Sequence, residues 1–226
     1  VGAVQQHIED YECALEPVAL MEQALRNAAV DAGSMQLLSL ADEILVPKSL
    51  WSYTDPGRLL AASLAAHSAT TLLAEFGILQ QSLLTRACQR IKDGDADVIL
   101  VAGGEARFRA LCAGKAGVEA FETPQNGAEP DITLQPQDEM WSAVESDRGL
   151  GMPVGYYAIL DSALRYKQGL SAAEHRDQMA SMYARLSELA AGSPDAWSDQ
   201  VVSASHIREH SATNRMLALP YSTLHK

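Results

Sequence analysis

Apolar residues recur at helical spacing between Pro17 and Gly33: Leu20, Ala24, Ala28 and Ala32 fall four apart, and Met21, Leu25 and Val30 widen the stripe. Glu16-Pro17 opens this helix, since proline suits a first helical turn, and Gly33 stops it. Glu43-Ile44-Leu45-Val46, closed by Pro47, reads as a strand. Asp55-Pro56 starts a second helix over residues 57–66, and residues 68–73 form a short, Thr-rich extended segment. From Leu79 onward Leu83, Leu84, Ala87, Cys88 and Ile91 line one helical face, which Gly94 ends. Residues 96–102 read as a buried strand that ends in Gly103-Gly104, and the continuous apolar run Val98 to Val101 within it suits a strand buried on both faces with neighbours at both sides. Alternating strands and helices predict an α/β fold, a mostly parallel sheet covered by helices.

The pattern changes after Cys112. Residues 114–138 are rich in Gly, Pro, Gln and acidic residues and show no period, so they read as a long surface excursion. Helical spacing returns over 156–167 and again over 171–191, where Ser171 and Glu174 have the spacing of a capping box and Ser193-Pro194-Asp195 marks the end. In the second of these helices Met179, Met182, Tyr183, Leu186 and Leu189 predict an apolar, adaptable face of a lid-like subdomain. The expected division is therefore an α/β part over 1–112 and a mainly helical loop subdomain over 113–226.

Composition narrows the function classes. The chain has 226 residues, 47% of them apolar, with 17 Lys plus Arg against 29 Asp plus Glu, a formal charge of −12. No basic cluster interrupts that excess, so nucleic acid is not an expected partner. The apolar stretches around 37–46 and 98–102 fall short of the roughly 20 residues that a bilayer span needs, so no membrane is expected either. Cys13, Cys88 and Cys112 are an odd set without CxxC spacing, which points away from a disulfide framework or zinc ribbon and toward a reducing compartment. Val1-Gly2-Ala3-Val4 carries no basic region or cleavage motif, so no signal peptide is expected and the predicted location is the cytoplasm.

The run 81–106, QSLLTRACQRIKDGDADVILVAGGEA, resembles a helix and following strand of the thiolase superfamily, through Ile91, Gly94, Ala96, Asp97, Gly103, Gly104 and Glu105. Leu164-Arg165, Trp197, Asn214-Arg215-Met216 and Pro220-Tyr221 are similar to the type 1 thiolase-like proteins, which are often named acetyl-CoA acetyltransferases. Glu16-Pro17 and Asp55-Pro56-Gly57 fall in the matching order.

The resemblance implies an N-terminal thiolase half with a five-stranded, helix-covered sheet, a loop domain over an acyl-CoA site, and a C-terminal half that supplies further catalytic groups. Thiolases place a nucleophilic Cys at the start of the helix, where the helix N-terminus favours thiolate. Counting back from Gly94 by that spacing lands on Gly77, so no catalytic residue carries over. The positions that do carry over, as acyl-CoA contacts, are Gly77, Gln81, Gly103, Gly104 and Glu105; the glycine pair equally suits a turn without a ligand. The expected function is that of a thiolase-like protein in lipid metabolism that binds or acts on acyl-CoA thioesters, in the acyltransferase family, without the nucleophilic Cys. The alternative is a non-catalytic binding or scaffold subunit of a thiolase-type assembly. No metal or cofactor is expected beyond a CoA thioester as substrate or ligand. The expected partner is a C-terminal thiolase half, in the same polypeptide or in another chain, because the sheet lacks its fifth strand and the 98–101 strand needs a neighbour.

Four further patterns compete. Cys88, on the apolar face of its helix, reads as a small core residue, slow to react. His206-Ile-Arg-Glu209-His210 matches the H-x-x-E-H signature of inverted zinc peptidases, but of the residues after it only His225 is a possible further donor, so it reads as a solvated segment. Gly149-x-Gly151-x-x-x-Gly155 has the wrong spacing for a dinucleotide loop, and Asp138-Glu139 with 145–147 reads as a solvated charge run.

Overall fold

Helix α1 (Pro17–Asp31) begins on Glu16, an extended N-cap, with Pro17 in its first turn. It ends on Gly33, whose φ of +79° lets its N–H reach the Val30 carbonyl while the Ser34 N–H reaches that of Ala29. A computed structural model describes residues 1–138, 141–150, 153–194 and 196–211, with Pro153 and Val154 described by backbone alone. The chain separates into two units, Val1–Glu139 and Met140–Lys226.

After α1 the first unit runs through α2 (Gln36–Ser39), β1 (Glu43–Pro47), α3 (Pro56–Ser63), β2 (Thr70–Ala74), α4 (Gln80–Asp93), β3 (Ile99–Val101), α5 (Arg107–Lys115) and β4 (Ile132–Leu134). The four strands are all parallel in the order β3-β1-β2-β4, with Leu45 opposite both Leu72 and Val101. Because side chains alternate along a strand, Ile44, Val46 and Leu73 enter a core with α1 and α3, whereas Leu45, Leu72 and Ala74 meet Leu83 and Ala87 of α4 on the other face. This is the α/β architecture that the alternating pattern predicts.

Four differences from the sequence reading have physical causes. On α1 the buried line is Val18, Met21, Leu25 and Ala29, one position round from the expected Leu20 series, and Val30 is exposed. On α4, Leu83 and Ala87 face the sheet while Leu84, Cys88 and Ile91 are exposed. Cys88 is therefore not a core residue. One position on a helix is about 100° of rotation, and Arg86 and Arg90 fix that rotation by pairing with the buried Glu43 carboxylate at 3.4 and 2.6 Å. The expected buried strand is reduced to β3, half-buried at both ends, and among the described residues it pairs only with β1 at the sheet edge.

The fourth difference is the segment 114–138, which belongs to the first unit, so the observed division falls after Glu139 rather than at 112/113. It contributes β4, bracketed by Pro130 and Pro136, and is anchored by side chains. Asp131 accepts from the Thr71 N–H at 2.8 Å and from Arg58 at 2.6 Å. Gln125 accepts from the Thr54 and Asp55 N–H groups. Glu16 accepts from the Thr123 N–H and hydroxyl and from the Tyr53 hydroxyl, at 2.6–2.7 Å. Arg109 of α5 donates to the Tyr11, Ala14 and Phe121 carbonyls, holding the N-terminal segment against the same loop.

The second unit contains α6 (Ala143–Asp147), α7 (Pro153–Gln168), α8 (Ala172–Ala191) and α9 (Ala204–Arg208). The capping box at Ser171 and Glu174 is formed, and a second one joins Ser142 and Glu145. His175, buried, meets Asp161 at 2.7 Å and ties α8 to α7. Of the predicted apolar face of α8, Met179 and Tyr183 are half-buried, while Met182, Leu186 and Leu189 are exposed. Among the described residues no helix is long and apolar enough to cross a membrane.

Candidate functional site

Parallel strands in register end together, so the segments after β1 and β3 lie side by side at the carboxyl edge of the sheet. There the first turn of α4 approaches them and encloses a cavity of about 390 Å³. Lys48 and Ser49 follow β1, Gly103, Gly104 and Glu105 follow β3, and Gln80 and Leu83 come from α4. Crevices at the carboxyl ends of parallel strands are where open α/β sheets bind ligands.

Gly103, Gly104 and Glu105 thus lie together on this wall. Gly77 and Gln81 do not line the cavity: Gly77 occupies the exposed β2–α4 turn at φ +99°, and Gln81 is exposed one position round the helix from Gln80. The glycine pair answers to close packing. A Cβ on Gly104 would come within 2.9 Å of the Met21 side chain and 3.2 Å of the Pro17 carbonyl, and one on Gly103 within 3.2 Å of Pro47. Glu105 is a clamp between loops, accepting from the Ser49 hydroxyl at 2.6 Å, the Leu50 N–H at 3.0 Å and the Ala106 N–H at 2.8 Å. The Trp51 indole N–H donates to the Gly104 carbonyl at 3.2 Å.

Lys48, Ser49 and Gln80 are polar cavity residues that the sequence reading missed, and Lys48 is the charged one. Its N–H donates to the Ala74 carbonyl, which carries the β1–β2 pairing one residue further, and its half-buried side chain lies between two cavities. The second cavity, about 370 Å³, has Tyr53, Thr54, Glu75 and Glu129 on its walls. The signal was the position of a cation directly after a strand-closing proline.

Buried polar groups hold the surrounding loops. Burial alone would raise the Glu16 carboxyl's pKa, but the bonds from Thr123 and Tyr53 outweigh it and hold the group below its ordinary value. Burial, and then the bond to Glu16, push the Tyr53 phenol far up. The Thr71 N–H, with Arg58, holds Asp131 below the usual carboxylate range.

The first cavity offers a cation, a hydroxyl and an amide beside the apolar Leu83, Val101 and Ala102, a lining suited to binding and orienting a partly apolar ligand. Neither a thiol nor an imidazole lines it among the described residues. Cys88 lies further along α4 on its exposed side, Cys13 is exposed and Cys112 is half-buried. In the H-x-x-E-H segment α9 ends at Arg208 and Glu209 is extended and bonded to Arg208, and among the described residues the segment is part of no metal-binding cluster. Glu145 is engaged in the α6 capping box. Gly151, Glu139, Asp195, the matched residues Asn214, Arg215, Met216, Pro220 and Tyr221, and His225 lie outside the described residues.

No protein-family model matches the chain, and no curated protein does. Among solved structures, a monomeric SCP2-thiolase like protein type 1 from Mycobacterium smegmatis is similar, with a TM-score of 0.65 and 22% sequence identity over 95% of this chain and 39% of that one. The chain has a thiolase-like fold. It spans about two fifths of that neighbour's length, and 22% identity extends the likeness to the fold alone.

Proposed function

We propose that the chain is the thioester-binding portion of a thiolase-like protein of the acyltransferase family, holding an acyl-CoA or related thioester in the cavity at the ends of β1 and β3. The carrying observation is that cavity: about 390 Å³, part apolar and part polar, at the carboxyl edge of a thiolase-like sheet and against the first turn of α4. Gly103, Gly104 and Glu105 shape its wall; Gln81 and Gly77 border the ligand's approach to α4. The reading does without a cysteine nucleophile, in keeping with Gly77 at the corresponding position and Cys88 on the exposed side of α4. Three free thiols support the cytoplasm as the compartment, and acyl transfer in lipid metabolism is the setting that fits the ligand. The helical second unit corresponds to the loop domain.

A second reading is favoured by the exposed Leu84, Cys88 and Ile91 on α4 and by the edge position of β3. A non-catalytic subunit of this kind uses both features to receive a second thiolase-like half. Calorimetric titration with acetyl-CoA and acetoacetyl-CoA, alongside a turnover assay, separates the two. Saturable binding that is lost in Gln80→Trp supports the thioester site. Turnover that survives Cys88→Ser supports acyl transfer, binding without turnover supports the subunit, and no binding refutes the site.

A further inference from the structure

We propose that Lys48 is a specificity-determining residue that reads an anionic group of the ligand, a carboxylate on the acyl chain or a phosphate of its CoA carrier. The inference rests on the thioester reading above and adds to it the charge of the ligand.

The half-buried arginines of the same unit have carboxylate partners: Arg86 and Arg90 share Glu43, and Arg90 also meets Asp95. Lys48 forms no ion pair among the described residues, in a chain with 29 acidic and 17 basic side chains. Its ammonium reaches the Tyr53 carbonyl only at 3.4 Å and lies 4.7 Å from the centre of the Trp51 ring. An ammonium has three donors, and these two contacts are weak substitutes for an anion at a partly desolvated cation.

The neighbours decide which cavity receives the anion. On the side of Tyr53, Glu75 and Glu129 line the wall and would repel one. On the other side there is one acidic lining residue against two, Glu105, which keeps its charge but whose two oxygens are turned to the Ser49 hydroxyl and the Leu50 and Ala106 N–H groups. That cavity also carries Leu83, Val101 and Ala102. An apolar wall facing an unmatched cation fits a ligand with a hydrocarbon part and an anionic end.

The test is calorimetric titration at low salt with three thioesters. Succinyl-N-acetylcysteamine carries a carboxylate and no phosphate, butyryl-CoA carries phosphates and a neutral acyl chain, and butyryl-N-acetylcysteamine carries neither. The wild type is expected to bind the last most weakly. Lys48→Gln should lower affinity for at least one anionic ligand by about tenfold or more, as loss of a charge-assisted hydrogen bond does, while leaving the neutral one unchanged. Lys48→Arg should retain most of the affinity and guards against a folding defect. A loss confined to the succinyl compound assigns the acyl carboxylate, and one confined to butyryl-CoA assigns the phosphate. Equal affinities for all three, or no effect of Lys48→Gln, overturn the proposal and leave the thioester reading standing. Failure of all three to bind overturns both.

Discussion

Helices α1 and α4 cover opposite faces of one sheet, and both carry more apolar residues than a single line needs. On α1 most of the surplus is covered, because α3 shares that face: Val18, Met21, Leu25 and Ala29 are buried, Leu20, Ala24 and Ala28 are half-buried, and Val30 is left exposed. On α4 only Leu83 and Ala87 are buried, and a second line through Leu84, Cys88 and Ile91 faces outward. The difference lies in Glu43, 3% exposed on β1, whose carboxylate is met by Arg86 and Arg90 and so sets which line turns inward. Apolar periodicity measures how wide a greasy face is; a buried charge can decide how it is rotated.

The largest expected effect tests that rotation directly. Leu83→Ala should destabilise the protein by about 2–5 kcal/mol, as truncation in a closed core does. Leu84→Ala, its exposed neighbour, should stay within about 0.5 kcal/mol. Urea titrations of the two variants check this, with Met21→Ala as the α1 counterpart, expected to behave like Leu83→Ala. If Leu84→Ala costs as much as Leu83→Ala, the outer line of α4 is covered in solution and the contrast between the helices fails.

A smaller effect is expected from the charge that sets the rotation. Glu43→Gln keeps the size of the side chain but removes the countercharge of two guanidiniums that are about one third exposed. Breaking a fully buried pair costs about 3–5 kcal/mol, and partial exposure reduces this to about 1–2 kcal/mol. Chemical denaturation measures it. A neutral result would mean that Leu83 and Ala87 hold α4 in place without Glu43.

These helices also mark what could be read from the residues alone. Glu16-Pro17, Gly33, Asp55-Pro56 and Gly94 place helix ends because each acts on the backbone beside it. The alternation of strands and helices gives the α/β class for the same local reason. The facing of α4 was not legible, since it depends on a side chain 43 residues away. Nor was β4, three residues long, whose Ile132 and Leu134 pack against the Leu45, Leu72 and Leu83 cluster and which Asp131 ties to its neighbour by bridging Thr71 and Arg58. At the site, Gly103-Gly104-Glu105 was visible from a strand end, whereas Lys48 became a candidate only once two cavities met at its side chain.

Carboxylates give a further contrast, between loops and sheet. Glu16, Asp42 and Asp131 all have their pKa held down: Glu16 because bonds from Thr123 and Tyr53 overcome burial, Asp42 by the Val98 and Asp97 N–H groups, Asp131 by the Thr71 N–H and Arg58. A depressed folded-state value means that the stabilisation is fully present above the unfolded-state value and is lost as pH falls through the folded one. Loss should therefore begin near the ordinary values, 4.5 for Glu16 and 3.8 for the two aspartates, and continue below them. Urea midpoints measured from pH 7 to pH 2 should fall in that window, and Asp131→Asn should flatten part of the decline. A midpoint that is level down to pH 3 would contradict the linkage.

The smallest effect on stability, and the sharpest probe of the outer face of α4, comes from its thiol. Cys88 is exposed, so iodoacetamide should alkylate it in the native protein at a rate close to that in the unfolded chain, with little change in the denaturation midpoint. Cys112, half-buried, should react more slowly. Cys13 is exposed as well, but its thiol bonds to the Asp10 carboxylate, whose charge also raises the thiol's pKa, so at neutral pH less of it is thiolate and it should lag behind Cys88. The expected order, read by mass spectrometry of peptides after timed quenching, is Cys88 first. Protection of Cys88 that disappears on dilution would show that a second copy covers Leu84 and Ile91. Protection that persists at every concentration would mean that the outer line of α4 is buried within the chain, erasing its difference from α1.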